Sequence, residues 1–497
     1  MSFGDSLDRW ISYLSPEWGA RRKLARYAIR ETERMGAYPE SRPGRLDRAP
    51  TSGGASADYS LELGFDRRKL VERARVADEM NQVAGAILDR SVETVVGEGF
   101  RLQATTDDPA WNQRAEELWN DWAETACDSR GTLSWSEALA LIYRSALRDG
   151  DVALVLQEDG TVRFVESDEI ADPHGGHSRP DMVDGVELDA RGRPVAYHVF
   201  RPKRNVLWAD RRVATKDRVD AEDVVFYAQR KRLGQTRGLT SFQGMFWVLD
   251  QVDGTLEAVS VATRMAACLG LVIKRAGGTF ASLPTTTDSA GNTKRKLRLE
   301  PGAVLPLDVG EDVSQITPTF PGSAMKDHVR ELERLCTARF PVTLEMVLGD
   351  YTASNYSNTR NARLEARERA KIHQGRLARV SSSVYLWKLV GWIRAGELAP
   401  RPDAIRHKWL RPAWAWVDPI TELQAAQAAI DSGMSTRTIE LARLGLDFEE
   451  DVVPQLAAEQ KLLEKNKIAL VRSTLTRDPT PERSLDGERE PKKQPAA

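Results

Sequence analysis

Hydrophobic positions along the chain repeat with one period, then another, then the first again. From Arg67 onward, Leu70, Ala74, Ala77, Ala84, Ile87, Ser91 and Val95 recur at steps of three, four or seven, giving one small-to-apolar stripe on a helix. Gly97 or Gly99, able to take the left-handed conformation, should close it. The same period predicts helices over 111–125 and 135–148, the second stopped by Gly150. After Gly150 the segments VALVLQ, VRFVES, PVAYHVF and VVFYAQ are short, β-branched or aromatic, and set between Gly, Pro and Asp clusters. They predict a β-rich subdomain over 151–230. Helical spacing returns over 241–269. Residues 276–322, with the strand-like pieces KRKLRLE and AVLPLDV, then read as a compact β excursion before a helix over 323–339. A helix over 359–394 would span about 54 Å, enough to cross a domain; Gly375 and Gly391 are places where it could bend. Two or three shorter helices fit 420–470. The fold class is α+β, with no internal repeat.

The two ends differ from this body. Residues 1–35 have helical spacing with a basic face (Arg21, Arg22, Lys23, Arg26, Arg30), and 36–58 read as an extended arm rich in Gly, Pro, Ser and Ala. From Arg472 the chain lacks apolar residues that could fold it. Composition narrows the class further. With 71 Lys and Arg against 73 Asp and Glu, the 497-residue chain carries a formal charge of −2 and is no polycation built to grip nucleic acid. The longest apolar runs are shorter than a membrane span, and the N-terminus has no signal-type apolar core. Cys127, Cys268 and Cys336 are expected to be reduced, buried thiols in a cytosolic setting.

Catalytic patterns are missing. There is no GxxxxGK[ST] phosphate loop and no Gly-rich dinucleotide fingerprint. His174 and His177, near Asp172, are the nearest approach to a metal site, but PHGGHSRP reads first as a surface turn. Asp168, Glu169 and Asp350 show no partner in the sequence and are expected to be solvated or capping, and Ser323 to cap a helix. No catalytic residue, metal or cofactor is expected.

Binding chemistry is present instead. GDYTASNYSNTRNARLEARERA, starting at Gly349, joins a polar loop to the long helix. Asp350, Tyr351, Ser354, Asn355, Tyr356 and Asn358 offer hydroxyls and amides with a single charge, groups that touch phosphate without holding it tightly. Arg360, Arg363, Arg367 and Lys371 fall on one helix face, either as a solvated surface with internal ion pairs or as a face toward a polyanion. Leu377, Val380, Val384 and Trp387 form an apolar seam further along, so the helix should start exposed and end buried. Lys294, Arg295, Lys296 and Arg298 make a sharper basic cluster, suited to DNA, to an acidic protein, or to guarding an edge strand.

Several stretches, in order, resemble the lambda-like portal family of tailed bacteriophages. They are SPEWGARRKLARYAIRE, SADYSLELGFDRRKLVERARVADEMNQVAGAILDRSVETVVGEGFRLQA, WSEALALIYRSALRDGDVALVL, VVFYAQRKRLGQTRGLTSFQGMFWVL, LEPGAVLPLDVGEDV, FPVTLEMVLGDYTASNYSNTRNARLEARERA and RPAWAWVDPITELQAAQAAIDSGMSTRTIELARLGLDFEEDVVPQLAAEQ. The resemblance covers about residues 16–465. It implies a ring, typically of twelve subunits, at the capsid vertex in the virion, assembled in the host cytoplasm, with double-stranded DNA passing non-specifically through its axis. It further implies a wing over 60–240, stem helices in 241–275 and 323–339, a β-containing clip over 276–322, and a channel loop with a long wing helix over 340–415. A helical crown over 416–470, an N-terminal helix and arm over 1–59 and a disordered tail over 471–497 complete the division. The loop residues would line the channel, the four cations would belong to the helix next to the channel, and the Lys294 cluster would dock partners. Those implied are the terminase large subunit, the major capsid and scaffolding proteins and the head–tail connector, with no membrane. A non-viral ring adaptor and a packaging nuclease or terminase are the alternative readings.

Overall fold

The computed structural model describes residues 59–173, 181–201, 215–268, 272–275, 285–287, 293–295, 311–314, 323–352, 355–414 and 418–466. Expectations for 1–58, for the tail, for His174 and His177, for Ser354 and for most of 276–322 lie outside the described residues. The chain divides into two compact units, Met1–Val417 and Asp418–Ala497.

The first unit opens with a correction. The stripe from Leu70 to Val95 is carried by two helices, α1 (Tyr59–Met80) and α2 (Gln82–Val95), because Asn81 leaves the helical region at φ −105° and ψ 115°. Its side-chain oxygen accepts from the Val83 and Ala84 amides at 3.1 Å, capping α2, and its Nδ2 donates to Asp253 at 3.1 Å. The apolar register survives the break: Leu70, Ala74, Ala84, Ile87, Ser91 and Val95 are all buried. Past the helix, Gly97 and Gly99 both take positive φ, as the stop signals implied.

β1 (Arg101–Ala104) leads into α3 (Pro109–Thr125), which Asp108 caps. α4 (Trp135–Asp149) starts with a reciprocal Ser134–Glu137 capping box and ends on Gly150 at φ 100°. β2 (Asp151–Leu156) is the centre of a three-stranded antiparallel sheet, between β3 (Val162–Glu166) and β8 (Val224–Ala228). A second antiparallel sheet holds β4 (Met182–Val183), β5 (Val186–Leu188), β6 (Pro194–Arg201) and β7 (Thr215–Asp220) in that order. β4, β5 and β7 were not expected: two are very short, and TKDRVD is too polar to read as a strand.

α5 (Phe246–Cys268) and α6 (Ser323–Thr337) pack against each other. α5 starts five residues later than predicted because turns occupy 241–245. Between them, β9 (Val272–Arg275) pairs with β12 (Glu311–Ser314), and β10 (Thr285–Thr287) with β11 (Thr293–Arg295). Of the predicted KRKLRLE strand only Lys294 and Arg295 are described, in β11; AVLPLDV lies outside the described residues.

α7 (Leu344–Leu348) precedes α8 (Tyr356–Ala395), whose 40 residues span about 60 Å. α8 is unbroken through Gly375 and Gly391 and ends on Gly396 at φ 80°. β13 (His407–Leu410) then returns to pair antiparallel with β1. The second half of α8 inserts Tyr385 into an aromatic nucleus around Trp119, whose ring lies 5.1–5.8 Å from those of Trp122, Trp135, Tyr385 and Trp409. Cys127 and Cys336 are buried free thiols, as their spacing implied.

The second unit holds α9 (Pro419–Asp431) capped by Asp418, α10 (Arg437–Arg443) capped by Thr436, a π-helical turn (Phe448–Val452) and α11 (Val453–Asn466).

Candidate nucleic-acid interface

The polar loop is bounded by two helix ends. Thr343 caps α7 by accepting from the Met346 amide at 3.3 Å, and Gly349 closes it in the left-handed region at φ 67°. Asn355 caps α8 by accepting from the Asn358 amide at 2.8 Å. The helix therefore begins three residues earlier than its pattern predicted. Tyr356 and Asn358, read as loop residues, belong to its first turn.

Asp350, expected without a partner, is engaged on both oxygens. Oδ1 accepts from the Thr352 amide at 3.0 Å and hydroxyl at 2.6 Å, and Oδ2 from Arg330 at 3.1 Å. The Thr352 donors, with the Arg330 and Lys326 charges behind them, hold its carboxyl below the ordinary range. Asp168 and Glu169 also have partners, Arg75 at 2.7 Å and Arg163 at 3.2 Å.

The cation stripe is only partly exposed. Arg363 donates to the Tyr351 hydroxyl at 3.0 Å and lies 5.3 Å from its ring centroid. Arg367 lies over the Trp414 ring at 5.9 Å, Lys371 pairs with Glu368, and the Arg360 Nε is buried without a hydrogen-bond partner. Burial on α8 begins at Ala366 and Ala370, earlier than the seam at Leu377 suggested. Tyr351, Thr352, Asn355 and Asn358 are exposed, so these four side chains present neutral, hydrogen-bonding groups. A groove of about 470 Å³ runs beside it between α6 and α8, lined in part by Arg330, Arg334, Glu345, Glu365 and Arg369.

Sequence reading missed a buried ionic network elsewhere in the first unit. Arg237 is fully enclosed. It donates to Asp151 at 2.9 Å with both Nε and Nη2, to the Ser167 carbonyl at 2.7 Å and to the Ile170 carbonyl at 3.1 Å. Arg67 joins from α1, bonding Asp184 and the Ser167 hydroxyl at 2.6 Å each. Burial pushes the Asp151 carboxyl up, but the Arg237 and Arg67 charges outweigh it and the group sits below its ordinary range. The segment RLGQTRG holds both the arginine and Gly238, whose amide donates to Asp151 at 2.7 Å. The one available signal was that Arg–Gly pair opposite Gly150–Asp151. Among the described residues no group of three or more His, Cys, Asp or Glu is placed to hold a metal, and no helix is long and apolar enough to cross a membrane.

The model of "Phage portal protein, lambda family" matches residues 44–374, more than half of the chain, and the chain belongs to that family. Among solved structures it is similar to a protein of the neck of a native gene transfer agent particle computed with C12 symmetry, 15% identical over 76% of this chain and 94% of that one, with a TM-score of 0.46. A protein of the virion of that kind of particle is 15% identical over 78% and 99%, with a TM-score of 0.45. An HK97-family phage portal protein from Corynebacterium diphtheriae is 11% identical over 59% and 83%, with a TM-score of 0.29. No curated protein matches the chain.

Proposed function

We propose that copies of this chain form a closed ring, twelve in number, at one vertex of a capsid, and that double-stranded DNA is packaged and ejected through its axis. Membership of the lambda portal family over residues 44–374 carries this reading, since that span includes the loop and the head of the long helix. The site chemistry supports it. Duplex DNA bears a charge about every 1.7 Å, so a channel lined with free Lys and Arg would trap it. A loop whose one carboxylate is engaged by its own neighbours, and whose open face is hydroxyl and amide, lets phosphates pass. A net charge of −2 per chain leaves the assembled ring mildly acidic.

In this reading 60–240 with much of 340–415 is the wing, 241–275 and 323–339 hold the stem, 276–322 is the clip and 416–470 the crown. Asp350, Tyr351, Ser354, Asn355, Tyr356 and Asn358 line the channel, and Arg360, Arg363, Arg367 and Lys371 support them from behind. Lys294, Arg295, Lys296 and Arg298 dock the terminase large subunit and the head–tail connector; the major capsid and scaffolding proteins meet other faces. The role is structural, with the terminase supplying the work of translocation. Ring closure needs a head-to-tail interface whose rotation closes on itself. Negative-stain imaging of the purified chain should show closed rings with a central hole. A monomer under all assembly conditions, or nucleotide hydrolysis by the pure protein, would overturn the proposal.

A further inference from the structure

Away from the loop, β8 and the middle of α8 enclose a cavity of about 300 Å³. Arg230, Arg376, Arg379, Tyr227 and Ser383 are among the residues that line it. Ser383 is used locally, donating to the Arg379 carbonyl at 3.1 Å. Tyr227 is 6% exposed, with its hydroxyl enclosed next to the Gln229 side chain. Gln229 in turn accepts from Arg376 at 3.5 Å through Oε1.

Among the described residues no carboxylate lines this cavity. Burial raises the Tyr227 phenol, and the groups opposing that shift are Arg376 and Gln229. Five arginines of the same unit, Arg67, Arg75, Arg148, Arg163 and Arg237, each have an acidic side chain within 4 Å. Arg230, Arg376 and Arg379 are exposed, and none of them forms such a pair among the described residues.

A concave site lined by three exposed arginines, with no carboxylate among the described residues that line it, is suited to an oxyanion. We propose that this cavity binds a phosphate group. Guanidinium forks give charge-assisted, directional bonds to such oxygens. Three of them around one pocket suit a tetrahedral anion better than a planar carboxylate, which presents two oxygens. The volume admits a single phosphate with ordered water, not a duplex. The phosphate is either that of a free ester or one group of a nucleic-acid backbone, and the site does not depend on the ring reading.

Equilibrium dialysis of the full chain against radiolabelled inorganic phosphate, at constant ionic strength, tests this. One saturable site per chain is expected. Arg376→Gln and Arg379→Gln should each weaken binding roughly ten- to a hundredfold, as expected for loss of a hydrogen bond from a charged group. Because Arg376 and Arg379 are exposed, both variants should keep the parent's circular dichroism and Tm. Displacement by AMP but not by a short duplex assigns the site to free esters, and displacement by the duplex assigns it to backbone phosphate. Absence of saturable binding, or binding unchanged in the two arginine variants, overturns the proposal and leaves a cavity filled by water alone.

Discussion

Arg363 donates to the Tyr351 hydroxyl at 3.0 Å while its guanidinium lies over the same ring, so the loop is fastened to the helix that follows it. Tyr351→Phe removes the hydrogen bond and keeps the cation–ring contact; Tyr351→Ala removes both. Hydrogen exchange across 349–355 should therefore quicken modestly in the first and severalfold in the second. Tm should change little, because the pair is exposed. Equal protection in all three proteins would show that the fastening is not made in solution.

Gly238 crosses Gly150 so closely that a Cβ on it would stand 1.9 Å from the Gly150 carbonyl oxygen. Backbone cannot yield as a flexible side chain can. Gly238→Ala should destabilise by about 3 kcal/mol or more, or prevent soluble expression, as overpacking against a fixed wall does. Urea denaturation and soluble yield measure this; a parent-like midpoint would contradict the crossing.

Arg237→Leu would strand the Asp151 carboxylate in the interior. A loss of about 3–5 kcal/mol in unfolding free energy is expected. The double substitution Arg237→Leu/Asp151→Leu should recover part of it, since it removes the uncompensated charge. Denaturant titrations of the parent, both single variants and the double variant read the coupling.

His373 packs edge-on against Tyr143 at 5.5 Å, its Nδ1 buried and unpaired. Burial, with the nearby Arg376 charge, lowers its pKa from 6.5 to about 4. Above about 6.5 both folded and unfolded chains hold a neutral ring. As pH falls from there toward 4, the unfolded chain takes up a proton that the folded chain refuses, so stability declines across that window. His373→Gln should flatten the pH dependence between those values, measured as the difference from the parent by denaturant titration at each pH.

A loop meant to let DNA pass should be spoiled by added cations. Thr352→Lys and Asn358→Lys place ammonium groups at exposed positions of that region. Particles carrying them should package shorter genomes or eject more slowly, and the defect should ease with rising salt. Packaged length and ejection indistinguishable from the parent would remove 349–358 from the DNA path.

Much of this architecture is legible in period and punctuation. Gly150 marks the change from α4 to β2, and Leu70, Ala74, Ile87 and Val95 mark the buried face of α1 and α2, because amphipathic spacing and glycine stops are local properties. Asn81 was not legible as a break. Its role requires a side chain that turns back on the next two amides while reaching Asp253, a residue far along the chain. The loop was visible as a polar insertion ahead of a helix, but Asp350–Arg330 and Tyr351–Arg363 are tertiary pairs that no spacing rule encodes. Arg230, Arg376 and Arg379 likewise meet only because β8 packs on α8.

The fan of bonds from Arg237 has a consequence for dissecting the molecule. Its acceptors sit on Asp151, Ser167 and Ile170, and Arg67 closes the cluster from the first described helix. The β-rich portion over 151–230 thus borrows one indispensable residue from upstream and another from downstream. Excised at its apparent borders, it would expose Asp151 without either counter-charge and should not hold together. Within the first unit, calorimetry should see the helical and strand-rich portions melt in one cooperative step rather than two.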